Sequence, residues 1–366
     1  MKLLKDLYEI YAPSNGEKKI KRFIKHWVRE NVKDAIIRTD NNDGNVYIMR
    51  GEADTYPCVV AHLDQVQRNH SADFKAVETE DIIFGYSPSN RCKEGLGADD
   101  KNGIWVALKC LEEFDVIKVA FFIGEEIGCI GSSRCDMAWF TDCRFIVEPD
   151  RRGAHDLITD ICGRICSKEF ENVICGDMFG YAPEHGMMTD VLELSERGVG
   201  VSCINLSCGY YSPHSDEEYT VKKDLTNCLN FVRYIISTVT DVYPHKYEDD
   251  YKGYYSSFGY GYSSYAGSST YKHYRNSSDN ATKTNVGSDA LSLISINDFA
   301  DLESYVSQLV WQNYRYFTPE ELWPYIESDL ATYEIDKESF LELAEFYYEY
   351  YNEDYLCEYD DYDGRC

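Results

Sequence analysis

The sequence predicts an α/β domain over roughly its first 240 residues, with one sheet covered by helices on both faces. Three observations predict it. Extended β-rich apolar runs occur at residues 45–49, 57–61, 116–123, 144–147 and 200–206. Helical patterns alternate with them, notably at 101–114 and 222–238, and strand–helix alternation argues for a sheet packed on both sides. Several of the apolar runs stop abruptly at acidic or histidine residues, where an α/β sheet places its sites.

In chain order, Leu3, Leu4, Leu7, Tyr8 and Tyr11 fall at helical spacing. Ser14, with Glu17 three residues on, has the pattern of a capping box. Ile20, Phe23, Ile24, Trp27 and Val28 then follow the 3.6-residue period of an amphipathic helix. Near residue 245 the character changes. Residues 251–285 are rich in Ser, Gly, Asn and Tyr, which reads as a linker or long loop. Helical patterning returns near 298: Thr318-Pro319-Glu320-Glu321 is a helix start, and Asp336 can cap a helix carrying Phe340, Leu341, Leu343, Ala344 and Tyr347. The expected division is a catalytic domain over 1–244, a Tyr/Ser/Gly-rich segment over 245–297, and a small helical module with an acidic tail over 298–366.

Composition bounds the function. With 44% hydrophobic and 27% charged residues among 366, the chain is neither wholly disordered nor fibrous. Its 36 basic and 64 acidic side chains leave a formal charge of −28, ten of it in the last 36 residues. That balance argues against nucleic acid and against an anionic membrane as partners. The 14 cysteines include no CxxC pair, and Cys58, Cys110 and Cys203 sit in apolar runs as small hydrophobes do. Charges interrupt the amino-terminal MKLLKDLYEIYAPS, unlike a signal peptide, and no uncharged apolar run reaches 18 residues. The expected location is the cytoplasm, with reduced thiols.

Five motifs carry the chemistry. In Ala61-His62-Leu63-Asp64, residues two apart on a strand face the same side, so Asp64 can support His62. Gly95-Leu96-Gly97-Ala98-Asp99-Asp100-Lys101-Asn102-Gly103 brings two carboxylates to a helix start. Gly124-Glu125-Glu126 follows a buried-looking strand, so that one acid can bind a metal and the other act as a base. The other Glu–Glu pairs, 112–113, 217–218 and 320–321, read as solvated faces. Glu148-Pro149-Asp150-Arg151-Arg152-Gly153 and Tyr210-Tyr211-Ser212-Pro213-His214-Ser215 complete the set. Nitrogen plus carboxylate donors suit zinc, cobalt or manganese.

The ordered set AHLD, GLGADDKNG, GEE, EPDRRG and PHS resembles the co-catalytic dinuclear zinc exopeptidases, a superfamily that includes peptidase T, carboxypeptidase G, aminoacylase and bacterial leucyl aminopeptidases. The resemblance covers about residues 1–240 and implies a three-layer α/β/α domain with a mixed central sheet, here followed by a small carboxyl-terminal helical appendage. It implies two metal ions, with His62 and Asp150 on one, Glu126 and His214 on the other, and Asp99 between them. Glu125 would be the general base and Asp64 would orient His62. It also implies a cis peptide between Asp99 and Asp100. In the carboxypeptidase branch the fourth ligand would be Glu148, whereas the Asp-Arg-Arg-Gly context favours Asp150. Only 64 residues separate Asp150 from His214, which leaves no room for an inserted lid and points to the single-catalytic-domain, aminopeptidase-like branch.

The expected activity is therefore metal-dependent hydrolysis of a peptide by an aminopeptidase-type exopeptidase. The alternatives are a deacylase of small N-acyl compounds, and a scaffold that keeps the fold without catalysis. Tyr181, His185, Met187 and Met188 are expected pocket walls, and the Tyr-rich and acidic carboxyl-terminal region is an expected docking segment for a protein partner.

Overall fold

The strands at the centre form where the sequence is apolar without interruption. In the computed structural model, residues 1–40, 44–67, 70–248, 306, 309–310, 318–331, 336–338, 340–341, 343–345 and 348 are described. The chain divides into two compact units, Met1–Ser268 and Ser269–Cys366. The first runs α1 (Lys2–Tyr8), α2 (Lys18–Asn31), β1 (Ala35–Thr39), β2 (Val46–Arg50), β3 (Tyr56–His62), β4 (Lys75–Glu78), β5 (Ile82–Ser87) and β6 (Cys92–Lys93). It continues α3 (Ala98–Glu113), β7 (Ile117–Phe122), α4 (Ile130–Ser133), β8 (Cys143–Arg151), β9 (Asp156–Asp160), α5 (Lys168–Val173) and β10 (Ala182–His185). It ends with α6 (Asp190–Glu196), β11 (Cys203–Ser207), β12 (Tyr210–Tyr211), β13 (Tyr219–Val221) and α7 (Lys222–Thr238).

Eight strands make a mixed central sheet in the order β1-β2-β7-β3-β8-β11-β9-β10. Its middle strands β7, β3, β8 and β11 are parallel. Every residue of β3, β7 and β11 is buried, as strands covered on both faces require. The two-residue alternation sends side chains to two separate cores. Val59, Ala61, Val119 and Phe121 pack with Leu4, Ile24, Leu108 and Phe231 of α1, α2, α3 and α7. Cys58, Val60, Ala120 and Phe122 pack on the other face with Trp139, Phe140, Val191 and Leu194. The result is the expected three-layer α/β/α arrangement. Parallel register brings His62 level with Phe122, and Ser207 level with Arg151, so the motif-bearing strand ends share one edge.

The five expected strands and the helices over 101–114 and 222–238 are all present, within a few residues. The sequence reading missed β1, β4–β6, β9, β10, β12 and β13. β1 and β10 are edge strands with mostly exposed side chains, so they carry little of the apolar alternation by which strands are recognised. β12, β13, β5, β4 and β6 build a second, five-stranded sheet that was not anticipated. The capping box at Ser14 is also corrected. Helix α2 begins at Lys18 with Glu17 as its flanking residue, and Ser14 donates its hydroxyl to Asp64 instead.

In the second unit a helix spans Pro319–Ala331, starting where Thr318-Pro319 predicts. Leu322, Trp323, Ile326 and Leu330 pack with Val306, Leu309, Val310, Phe340 and Ala344. The Tyr-rich segment and most of the acidic tail lie outside the described residues. Among the described residues no disulfide forms, and no helix is long and apolar enough to cross a membrane.

Candidate metal centre

The five motifs converge at the carboxyl edge of the central sheet. His62 is the last residue of β3, 1% exposed. Its Nε2 lies 3.0 Å from Asp99 Oδ1, 3.5 Å from Asp150 Oδ1 and 3.9 Å from Glu125 Oε2. Its Nδ1 faces Asp64 Oδ1 at 3.4 Å. His214 Nε2 lies 3.3 Å from Asp99 Oδ2 and 3.2 Å from Glu126 Oε2, and its side chain is 42% exposed. Two donor groups result, His62–Asp99–Asp150 and Asp99–Glu126–His214, each with its ligand atoms within 4.8 Å of one another. Asp99 is common to both.

Each loop is locked locally. Gly97 takes a left-handed backbone with φ of 64°, and a Cβ there would meet Gln65 Nε2 at 2.7 Å. The Asp99–Asp100 peptide is cis. Asp100 turns away from the centre: its carboxylate accepts from the backbone N–H of Gly103 at 2.8 Å and of His62 at 3.3 Å. A Cβ on Gly103 would lie 2.4 Å from that carboxylate, so this turn requires glycine. Asp64 accepts from the backbone N–H of Glu125 at 3.0 Å, from that of Glu126 at 3.3 Å, and from Ser14 Oγ at 2.7 Å. Glu17 Oε1 accepts from Gly124 N–H at 3.2 Å. Asn205 on β11 clamps Asp150, accepting from its N–H at 3.1 Å and donating to its carbonyl at 3.2 Å.

Electrostatically the centre is short of positive charge. Burial raises Glu125, Glu126 and Asp150 above the ordinary carboxylate range, and the acids around each of them add to the rise. For Asp64, burial pushes upward, but His62, Ser14 and the Glu125 N–H outweigh it and hold the carboxyl low. Both imidazoles are raised against the opposing pull of desolvation, His62 chiefly by Asp150 and His214 chiefly by Glu126. Glu126 Oε1 and Asp150 Oδ1 are buried without a hydrogen-bond partner. Orphaned carboxylate oxygens among clustered acids and neutralisable imidazoles are the donor set a divalent cation fits, and the nitrogen–oxygen mix suits zinc, cobalt or manganese.

All seven expected positions, His62, Asp64, Asp99, Glu125, Glu126, Asp150 and His214, are thus brought together. Glu148 is not among them. It is fully buried behind the centre, where its Oε2 accepts from Thr189 Oγ1 at 2.6 Å and from Val191 N–H at 3.3 Å. Of the four expected pocket walls, Met187 and Met188 line a cleft beside Asp150, with Arg151, Ile158 and Ile161. Tyr181 is instead core, donating its hydroxyl to the Ser207 carbonyl, and His185 is exposed beside Asp160. The sequence reading missed Glu218. The pair Glu217-Glu218 is not a solvated face: Glu217 is exposed and meets Lys93, but Glu218 is fully buried against the Asp99 loop. No local signal separates the two neighbours.

Neither a family model nor a curated protein sequence matches the chain. Solved structures do. An aminopeptidase PepT from Bacillus cereus superposes with a TM-score of 0.51 at 12% identity, covering 65% of this chain and 97% of its own. A tripeptidase from Staphylococcus aureus superposes with a TM-score of 0.52 at 12% identity, covering 64% of this chain and 96% of its own. At such identity the likeness speaks to architecture, and the mixed α/β core built here has the fold of these two peptidases.

Proposed function

We propose that this chain is a metal-dependent exopeptidase of aminopeptidase type that hydrolyses peptide bonds. One observation carries the reading: two His–carboxylate donor groups share Asp99, with a further carboxylate, Glu125, beside them. The fold likeness to an aminopeptidase and a tripeptidase supports a peptide as substrate. In this reading His62 and Asp150 would hold one cation and Glu126 and His214 the other, with Asp99 common to both groups. Zinc is the cation favoured, with cobalt or manganese compatible with the same donors. When bound, the two ions supply Lewis acidity toward the scissile carbonyl and toward water.

The chain's own residues do the rest. Glu125 Oε2 takes the proton of the attacking water and delivers it to the departing amine nitrogen. Its raised affinity for a proton, set first by burial and then by Asp150 and Glu126, suits a group that holds one between the two steps. Asp64 keeps the Glu125 and Glu126 backbone in place while facing His62, so one buried carboxylate aligns the base and a ligand together. The surplus of acid at the cleft also attracts a free amino-terminal ammonium. A cytoplasmic location belongs to the same reading and is supported by the many thiols packed as apolar core.

Glu125→Gln tests the assignment. Peptide turnover should fall by about 10²–10⁴-fold, with two zinc ions per chain still bound by elemental analysis. Full activity in that variant removes Glu125 from its role, and a wild-type chain that takes up no divalent cation removes the metal.

A further inference from the structure

The shared donor Asp99 is held by a residue that belongs to another loop. Glu218 lies four residues after His214, at the entrance to β13, and is fully buried. Its Oε1 accepts from the backbone N–H of Ala98 and of Asp99, both at 3.1 Å. Its Oε2 accepts from the N–H of Gly97 and from Gln67 Nε2, the latter at 3.0 Å. Three consecutive amides of the ligand loop thus converge on one carboxylate. Gln67 Oε1 in turn accepts from Gln65 Nε2 at 2.9 Å, and Gln65 Oε1 accepts from Lys101 Nζ. A single buried chain of hydrogen bonds therefore joins the loops that follow β3, that open α3 and that carry His214.

That connection matters most for one of the two donor groups. His62 ends a fully buried strand, whereas His214 sits in a turn with φ of 61° and is substantially exposed. The Asp99–Glu126–His214 group therefore takes two of its three donors from loops that Glu218 ties together. The His62–Asp99–Asp150 group takes two of its three from central strands.

We propose that Glu218 is a positioning residue that preorganises the Asp99–Glu126–His214 group for its cation. The inference rests on the metal reading above. Backbone amides left without their acceptor would let the Asp99 loop drift, and loss of groups that orient ligands typically weakens metal binding by about 10–100-fold.

The test is calorimetric titration of the cation-stripped full chain with zinc alone. Wild type should show two binding steps. Glu218→Gln replaces one acceptor oxygen by a donor facing N–H groups, so it should weaken one step by about 10–100-fold and shift the other much less. Glu218→Asp should restore part of the loss. If Glu218→Gln does not fold by circular dichroism, Gln67→Ala removes one of the carboxylate's supports and should shift the same step in the same direction by less. Folded variants that bind both ions as wild type does overturn the inference. So does an equal loss at both steps, which is what a purely structural role produces. A wild-type chain that binds no zinc overturns the metal reading, and the inference falls with it.

Discussion

The two donor groups that meet at Asp99 are built from different materials. His62 and Asp150 project from adjacent buried parallel strands, so the sheet's hydrogen-bond register sets their separation. Glu126 and His214 stand on loops, the first positioned by the backbone N–H it donates to Asp64 and the second by its turn geometry. The comparison teaches that one donor group is part of the fold while the other is assembled upon it. Rigid elements position ligands more tightly than loops do, and the two positions should therefore fail separately.

The largest expected effect breaks the strand-borne side. His62→Ala leaves Asp64, Asp99 and Asp150 buried without their imidazole, and removing one partner of a buried charge cluster costs about 3–5 kcal/mol. Urea unfolding of the cation-stripped protein should register that loss, with zinc uptake abolished at the His62–Asp99–Asp150 group. Unchanged stability would show the two sides to be alike. Next, Asp64→Asn weakens both the His62 contact and the acceptor for the Glu125 and Glu126 amides. Zinc affinity should drop about 10–100-fold, and wild-type affinity would remove Asp64 as an aligning group. A smaller change follows His214→Ala. Its side chain is 42% exposed against 1% for His62, so the stripped protein should lose less stability than with His62→Ala while zinc stoichiometry falls by one; an equal loss of stability would make His214 as integral as His62.

The smallest effect lies outside both groups. His70 is stacked between Tyr11, at 5.2 Å, and Phe74, at 4.2 Å. Burial, and then the nearby Lys101 charge, pull it from its ordinary 6.5 down to about 4. As pH falls, the unfolded chain takes up this proton before the folded one does. Stability present above pH 6.5 is therefore lost progressively toward about pH 4. The melting midpoint of His70→Phe should fall less steeply across that window than wild type, and equal slopes would dismiss His70 as a contributor. The difference is the background against which acid sensitivity of the centre is read.

The strand-borne side of the centre was legible in the sequence because its strands are buried on both faces, whereas Asp99 at the start of α3 and His214 in a turn were named through the ordered motif set. Val59-Val60-Ala61 and Val119-Ala120-Phe121-Phe122 are continuous apolar runs, and a carboxylate or imidazole at the end of such a run has few reasons to be there except chemistry. The edge strands were not legible, since Ala182–His185 is held by backbone pairing to β9 rather than by apolar side chains. Nor were the supporting residues. Ser14 and Glu17 satisfy a local helix-start pattern, yet tertiary contacts to Asp64 and Gly124 claim both side chains. Glu217 and Glu218 are chemically identical neighbours, and only the approach of the Asp99 loop separates a solvated acid from a buried one.

Ser14 and Glu17 have one more implication. The stretch ahead of α2 reaches across to steady the loop that carries Glu125 and Glu126, through Asp64 in one case and Gly124 in the other. A change between Pro13 and Lys18 therefore acts at a distance: it would loosen that loop without touching a donor residue. That short segment is in effect a strut beneath the donor groups, braced from a part of the chain that contributes none of them.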